Sequence, residues 1–232
     1  MIKQIKRFIE DKNNLMIFLN KLRSKVKSKK IIVIGSSRKL LKNKNKKYID
    51  SHDLVIRINL APTLKFEKFV GKKTDIIVCN HLYFAGKVKK NYIMELKKQK
   101  NKTIIVIVDH QYKNHINYLK KNKNKFVDNS NNVFFFDNRL NSILKFHMIS
   151  KYNILKKIYY YRFFPKLTAG LIIISILRVL DAEFKMIGFS LKKKNSSVDY
   201  YYQSTENKKK GGTSHDFERE NNILINYFNK YM

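Results

Sequence analysis

A chain of 232 residues, 44% hydrophobic and 13% aromatic, has the length and composition to bury a substantial core. This excludes an intrinsically disordered protein and fits one α/β domain. Lysine and arginine number 50 against 17 acidic residues, a formal charge of +33 that favours anionic partners. The single cysteine, Cys79, excludes an intrachain disulfide and indicates a reducing, cytoplasmic location.

The sequence of residues 1–29 predicts an amphipathic helical segment, and residues 30–232 are predicted to form the main domain. Charged residues interrupt the segment too often for a signal peptide or a membrane span. Its apolar residues follow helical spacing: Ile2, Ile5, Phe8, Ile9, Leu15, Phe18 and Leu19. We expect the segment to pack on the sheet, and docking on a membrane is the less favoured alternative.

Short apolar runs alternate with helical stretches along the rest of the chain, which predicts a single Rossmann-like domain with a mostly parallel sheet covered on both faces. The predicted strands are residues 30–35, 54–59, 75–79, 103–108, 133–136 and 184–189. A Lys-rich helical stretch follows the first strand, and a buried helix at 171–181 is capped near Thr168. Further helices are expected at 111–121 and 140–161, with a loop at 120–132.

Small and polar residues stand where several predicted strands end. Asn59 and Asn80 end the second and third strands, and the loop Gly35-Ser36-Ser37 follows the first. These positions meet at the carboxyl edge of a parallel sheet, where open α/β folds bind ligands. The helix start Thr168-Ala169-Gly170 adds backbone amides that suit a negative ligand.

The stretch from Ile49 to Asn80 carries an ordered set of residue types. The set is Ile49, Asp50, His52, Asp53, Val55, Arg57, Asn59, Ala61, Pro62, Phe66, Val70, Gly71, Lys73, Thr74 and Ile76. In this order it resembles the large sialylmotif of the animal-type sialyltransferase family. A generic strand unit, whose Asn, Pro and Gly only form turns, is the less favoured interpretation.

Three later stretches resemble the other motifs of that family. Residues 163–190 resemble the small motif, with a proline, the Thr168–Gly170 turn, an apolar helix and a strand ending at Gly188-Phe189-Ser190. Tyr200-Tyr201-Tyr202-Gln203 resembles the third motif as found in the β-galactoside α-2,6-sialyltransferase branch. His215 and Glu220 fit the ends of the very small motif, H-x-x-x-x-E.

The resemblance implies a GT-A-variant sialyltransferase fold. It implies inverting, metal-independent transfer of sialic acid from CMP-sialic acid to a hydroxyl of a glycan, glycolipid or glycoprotein acceptor, with terminal galactose expected. No cofactor is implied besides this donor substrate. His215 would be the general base, a role that suits a neutral imidazole. Two alternatives stay open: a related nonulosonic acid as donor sugar, and an inactive basic protein of the same fold that binds nucleic acid or membranes.

The site residues follow from the same resemblance. Donor binding would involve Gly35, Ser36, Ser37, Asn59, Thr168, Ala169, Gly170, Phe189, Ser190, Tyr201 and Tyr202. Positioning of the acceptor or of a loop would involve Asn80, Gln203 and Glu220. Phe189 would pack on cytosine or ribose, and no His/Cys/Asp spacing indicates a metal site.

Three features of the chain lie beside this assignment. His52 is expected to form a hydrogen bond within its turn rather than act in chemistry. The family's disulfide is missing, because Ile31 or a neighbour and about Leu180 take the places of its cysteines, so hydrophobic packing must replace it. The positive charge is interpreted first as a solvated surface, then as attraction to an anionic membrane, and last as nucleic-acid binding.

Overall fold

The computed structural model describes residues 16–17, 19–59, 61–80, 103–108, 132–137 and 168–189. Within these residues the chain forms six strands. They are β1 (Ile31–Ile34), β2 (Leu54–Ile58), β3 (Ile76–Asn80), β4 (Thr103–Val108), β5 (Asn132–Asp137) and β6 (Phe184–Ile187). All pairings are parallel, in the order β5-β4-β3-β2-β1-β6. The predicted parallel sheet is confirmed.

Apart from Arg57, the central strands β1 and β2 consist of β-branched and other apolar residues that are buried on both sides of the sheet. Every residue of β1 and β2 is buried, without the alternation that a half-exposed strand would show. The predicted sixth strand was two residues too long, since β6 ends at Ile187. Gly188 has a φ of 74°, a left-handed value that no strand residue adopts.

The described helices are short apart from one. Residues 19–26 form α1, and a 3-10 helix (Arg38–Lys42) precedes α2 (Lys46–Asp50), α3 (Glu67–Val70) and α4 (Ala169–Val179). The Lys-rich stretch after β1 is therefore two helices rather than one. α4 starts two residues before the predicted helix because the Thr168 hydroxyl accepts a hydrogen bond from the Leu171 amide at 3.2 Å. The predicted elements at 111–121, 120–132 and 140–161 lie outside the described residues.

One face of the sheet packs against α1 and α4. Leu19, Leu22 and Val26 of α1 lie in the same buried cluster as Leu171–Leu177 of α4 and the strand residues on this face. The predicted packing of the amphipathic segment is thus confirmed for its described part, and the domain boundary at residue 29 stays a prediction. Ile31 and Leu180 both pack in this cluster, as expected if hydrophobic contacts replace a disulfide.

The opposite face carries a second cluster under the 3-10 helix, α2 and α3. Ile32, Ile34 and Val55 of the sheet meet Leu40, Ile49 and Val70 of this helical layer. Helices therefore cover both faces, as predicted. In the described part of the chain, no helix combines the length and the apolar character that crossing a bilayer requires.

Arg57 extends from β2 into the second face with only 4% of its surface exposed. Its Nη2 donates hydrogen bonds to the carbonyls of Val70, Gly71 and Lys73 at 2.7, 3.2 and 2.9 Å, and its Nε donates to the Thr74 hydroxyl at 2.9 Å. We call Arg57 and the loop Val70–Thr74 the Arg57 cluster. The guanidinium thus provides hydrogen-bond donors for backbone carbonyls that would otherwise be buried without partners. It also lies at the carboxyl end of α3, where the helix dipole favours a positive charge.

Neighbouring residues of the same motif hold the amino edge of the sheet, where the strands begin. Asp50 accepts hydrogen bonds from the amides of Lys72 and Lys73 at 3.0 and 2.9 Å. The Lys73 ammonium donates to the carbonyls of His52 and Asp53 at 2.6 and 3.0 Å. The Asp53 carboxylate accepts from the Lys30 amide just before β1, at 2.8 Å.

Two more residues of the motif have structural roles. The His52 ring, 1% exposed, places Nδ1 2.8 Å from the Tyr48 carbonyl, which confirms the predicted hydrogen bond within the turn. Gly71 has a φ of 68°, and a Cβ there would lie 2.6 Å from Asp50 Oδ1. Much of the large motif therefore builds the amino edge, whereas its middle part, with Asn59 directly after β2, lies at the carboxyl edge.

Replacing Arg57 tests the importance of its cluster. Arg57→Met removes the N–H groups that donate to the carbonyls of the loop and to the Thr74 hydroxyl, so we expect the free energy of unfolding to fall by about 3 kcal/mol. Arg57→Lys should lose about 2 kcal/mol, because an ammonium cannot reproduce the planar fork. Urea denaturation measures both. The exposed Arg23→Met is the control, with a change within about 0.5 kcal/mol, and a loss below about 1 kcal/mol for Arg57→Met would contradict the assignment.

Candidate functional site

The candidate site lies where the strand order of the sheet reverses direction. The strands β2 to β5 lie on one side of β1, and β6 lies on its other side. In open α/β folds, ligands bind in a crevice at the carboxyl ends of the strands where the strand order reverses, so we expect the crevice of this protein beyond β1 and β6. Gly35-Ser36-Ser37 follows β1, and Gly188-Phe189 follows β6.

The two loops are held together by backbone hydrogen bonds. The Gly35 amide donates to the Ile187 carbonyl and the Ser37 amide donates to the Gly188 carbonyl, both at 2.9 Å. A Cβ on Gly35 would lie 2.3 Å from the Gly188 oxygen, and a Cβ on Gly188 would lie 2.6 Å from Leu40 Cδ1. Only glycine fits at either position. These contacts close the floor of the crevice.

Gly188 and Leu40 were not among the predicted site residues. A glycine inside the predicted sixth strand was the available signal for Gly188, because close approach of two backbones is a common reason for glycine there. Leu40 carried no such signal, since its contact with Gly188 depends on the packing of the 3-10 helix.

The two serines of the first loop have different roles. The Ser37 hydroxyl caps the 3-10 helix by accepting a hydrogen bond from the Lys39 amide at 3.3 Å. Among the hydrogen bonds that join described residues, none involves the Ser36 hydroxyl, although Ser36 is only 8% exposed. A nearly buried hydroxyl without a protein partner at the sheet edge is the better candidate for contact with a ligand.

The start of α4 is joined to the exit of β6. Thr168 uses its hydroxyl and its carbonyl for the amides of Leu171 and Ile172, which leaves the amides of Ala169 and Gly170 at the open end of the helix. A Cβ on Gly170 would lie 3.0 Å from Phe189 Cε1, so the Phe189 ring lies directly against this turn. Its predicted contact with a base or ribose stays a prediction.

Asn59 adds a carboxamide to the same edge. Its φ of 60° is left-handed, a conformation that Asn tolerates better than most residues, and its amide donates to the Val78 carbonyl at 2.7 Å. The register pairs Ile34 with Arg57, so Ser36 and Asn59 lie at the same level beyond neighbouring strands. Asn80 ends β3, the next strand along the sheet. The predicted set at the carboxyl edge is therefore adjacent in the fold.

The remaining predicted site residues lie outside the described residues. They are Ser190, Tyr201, Tyr202, Gln203, His215 and Glu220. Their roles stay predictions.

The chemistry of the described site is that of neutral hydrogen-bond donors around a helix start. Cys79 does not supply a nucleophile, because complete burial raises the pKa of its thiol far above the ordinary value and keeps it protonated. Among the described residues, no three His, Cys, Asp or Glu side chains are grouped to hold a metal ion. Amides, a hydroxyl and a carboxamide at the carboxyl edge of a parallel sheet are groups that suit a phosphorylated ligand.

Comparison with known proteins identifies the family. The family model for glycosyltransferase family 29 (sialyltransferase) matches residues 2–230, so the chain belongs to this family. The predicted resemblance is confirmed. A crystal structure of a mammalian sialyltransferase superimposes with a TM-score of 0.58 at 16% identity, over 88% of this chain and 67% of that one. This likeness confirms the fold.

Two curated relatives match shorter stretches. A β-1,6-galactosyltransferase of Arabidopsis thaliana is 44% identical over 62 residues, which are 26% of this chain and 16% of that protein. β-Galactoside α-2,6-sialyltransferase 2 of Danio rerio is 43% identical over 54 residues, which are 23% of this chain and 10% of that protein. The matched stretches thus span only a small part of these relatives.

Three alanine substitutions test the glycine contacts of the crevice. Gly35→Ala must displace a backbone carbonyl, so we expect a loss of about 3 kcal/mol in the free energy of unfolding. Gly188→Ala should lose a similar amount, because its Cβ meets Leu40 and its φ of 74° is strained for alanine. Gly170→Ala is the matched control, with a loss of about 1 kcal/mol or less, because only a ring tip must move and alanine favours the helix. Equal losses in thermal unfolding would refute this order.

Proposed function

We propose that the protein transfers sialic acid from CMP-sialic acid to a hydroxyl of a glycan acceptor, with inversion and without a metal ion. The observation that carries the proposal is the reversal of the strand order at β1 and β6, in a member of glycosyltransferase family 29. Its hydroxyl, carboxamide and helix-start amides are the kinds of group that bind a nucleotide phosphate. The single, buried cysteine supports a cytoplasmic location within this proposal.

In this proposal the donor phosphate lies near the amides of Ala169 and Gly170, with the Ser36 hydroxyl and the Asn59 carboxamide beside it. The phosphate oxygen that leaves the sugar gains negative charge in the reaction, and oriented amides stabilise such charge. The formal charge of +33 on the chain favours the approach of an anionic donor. Phe189 offers its ring to the base or ribose, and Tyr201 and Tyr202 add further donor contacts.

The chemical step is a displacement at the anomeric carbon. The acceptor oxygen forms a bond to this carbon as the bond to the phosphate oxygen breaks, and CMP leaves with the bonding electrons. The acceptor proton passes to the neutral imidazole of His215. Positive charge develops on the sugar, as in glycoside cleavage. Asn80, Gln203 and Glu220 are proposed to position the acceptor or the loop that carries His215.

A terminal galactose of a glycan, glycolipid or glycoprotein is the proposed acceptor, supported by the name of the Danio rerio relative, which specifies a β-galactoside. The Arabidopsis thaliana relative supports a second candidate, transfer of galactose from a nucleotide-galactose, because its name specifies a galactosyltransferase. A related nonulosonic acid is a third donor sugar to test. Incubation with each donor and a galactose-terminated acceptor, with linkage analysis of the product, distinguishes the three.

His215→Ala tests the assigned base. Loss of a general base should lower the turnover number by about 100-fold or more, with little change in the affinity for the donor. Radiolabelled sugar transfer measures the rate, and His115→Ala, a histidine without motif support, is the control. Transfer at an unchanged rate would refute the role of His215. Absence of turnover in the unsubstituted protein, together with RNA binding that weakens steeply with salt, would favour the inactive basic protein instead.

Ser36→Ala and Ser37→Ala separate ligand contact from helix capping. Loss of the Ser36 hydroxyl should raise KM for the donor by about tenfold, which corresponds to one hydrogen bond, with unchanged thermal stability. Loss of the Ser37 cap should instead lower the free energy of unfolding by about 1 kcal/mol. Steady-state kinetics and urea denaturation of both variants measure the two effects. The reverse pattern would show that Ser37 is the residue that contacts the donor.

A further inference from the structure

The helical layer over the second face of the sheet carries exposed lysines on its outside. It consists of the 3-10 helix, α2, α3 and the segments joined to them, residues 38–50 and 63–72, and we call its outer surface the lysine face. The exposed lysines are Lys39, Lys42, Lys44, Lys46, Lys47, Lys65, Lys68 and Lys72. Contacts of α3 with both α2 and the 3-10 helix unite these segments into one layer. The lysines therefore belong to one continuous surface.

Carboxylates of the described residues do not neutralise the charge of this surface. Among the described residues, no ion pair joins any of the eight lysines to an acidic side chain. Asp50, the acidic residue of α2, instead accepts hydrogen bonds from the amides of Lys72 and Lys73. Glu67 in α3 is the other acidic residue of the layer, and it is half-buried. The lysine face therefore presents a large excess of unpaired positive charge.

Two large apolar side chains lie among these lysines. Tyr48 of α2 is 48% exposed, and Leu64, in the turn before α3, is 59% exposed. Arg38, in the 3-10 helix of the layer, is half-buried, and Arg57, in the strand beneath the layer, is buried. Exposed lysines act as strongly hydrated point charges, whereas the specific binding of nucleic acids relies on the planar fork of arginine.

We propose that the lysine face docks on the surface of an anionic lipid bilayer. Clusters of lysines are attracted to the negative surface potential of such membranes, and Tyr and Leu insert their apolar parts at the boundary between headgroups and acyl chains. The charge excess on the lysine face is complementary to that surface. This inference does not depend on the reaction proposed above.

The position of the lysine face gives docking a consequence. The 3-10 helix begins directly after Ser37, whose hydroxyl caps it, so the lysine face begins at the border of the crevice. A bilayer on this face would lie next to the crevice. If the reaction proposed above is correct, membrane-bound acceptors would then be concentrated close to the donor.

Vesicle cosedimentation of the full chain tests the docking. The probes are vesicles of phosphatidylcholine alone and of phosphatidylcholine with phosphatidylglycerol. The test variant replaces four lysines of the face with glutamine: Lys42, Lys44, Lys46 and Lys47. The matched control replaces four exposed lysines elsewhere with glutamine: Lys21, Lys27, Lys29 and Lys185.

We expect the unsubstituted chain to bind the anionic vesicles and not the neutral ones. The test variant should bind the anionic vesicles about 100-fold more weakly, and the control variant within about threefold of the unsubstituted chain. At high salt, where electrostatic attraction is screened, the double variant Tyr48→Ser, Leu64→Ser should bind the anionic vesicles more weakly than the unsubstituted chain does. Thermal unfolding of each variant establishes that the fold is retained.

Three outcomes would overturn the proposal. Equal weakening in the test and control variants would show that diffuse charge, not the lysine face, attracts the vesicles. Binding of neutral vesicles as tight as that of anionic ones would remove the electrostatic basis. Tighter binding of single-stranded RNA than of anionic vesicles, lost in the test variant, would assign the lysine face to nucleic acid. Sugar transfer plays no part in these readouts, so a failure here leaves the proposed reaction untouched.

Discussion

The buried guanidinium of Arg57 is the interaction on which the arrangement of the sheet depends. It lies in β2 and holds the loop that leads from α3 into β3, so it connects two adjacent strands through the chain between them. A buried cation is tolerated because several carbonyls and a hydroxyl surround it. With that loop held in place, β3 begins at a defined point. The ends of β2 and β3 then lie beside one another. Asn59 follows β2, and Asn80 is the last residue of β3.

The two edges of the sheet differ in the contacts that they make. At the amino edge, carboxylates and Lys73 join the segments that precede β1, β2 and β3. At the carboxyl edge, Gly35 and Gly188 bring two backbones into contact. A single run of motif residues contributes to both edges because one strand, β2, connects them. Many residues that match the large motif therefore stabilise the fold through hydrogen bonds at the amino edge.

The surface adds a third feature, independent of the crevice. The same helices that cover the second face of the sheet inside carry the lysine face outside. Their buried residues, such as Leu40 and Val70, point inward to the cluster, and their lysines point outward. Amphipathic helices of this kind explain how a chain with so large a positive charge still folds around an apolar core, since the charge stays in water.

Local sequence by itself determined the strands, the cap of α4 at Thr168, the parallel class of the sheet and the membership of the family. Each of these follows from short-range patterns: apolar runs, a capping threonine, and ordered residue types along one stretch. Only the tertiary structure decided that β6 lies beside β1, that Phe189 lies against Gly170, and that Ser37 caps a helix while the Ser36 hydroxyl bonds to no other described residue. These depend on contacts between residues far apart in the chain, and such contacts are chosen by packing, which no local pattern encodes.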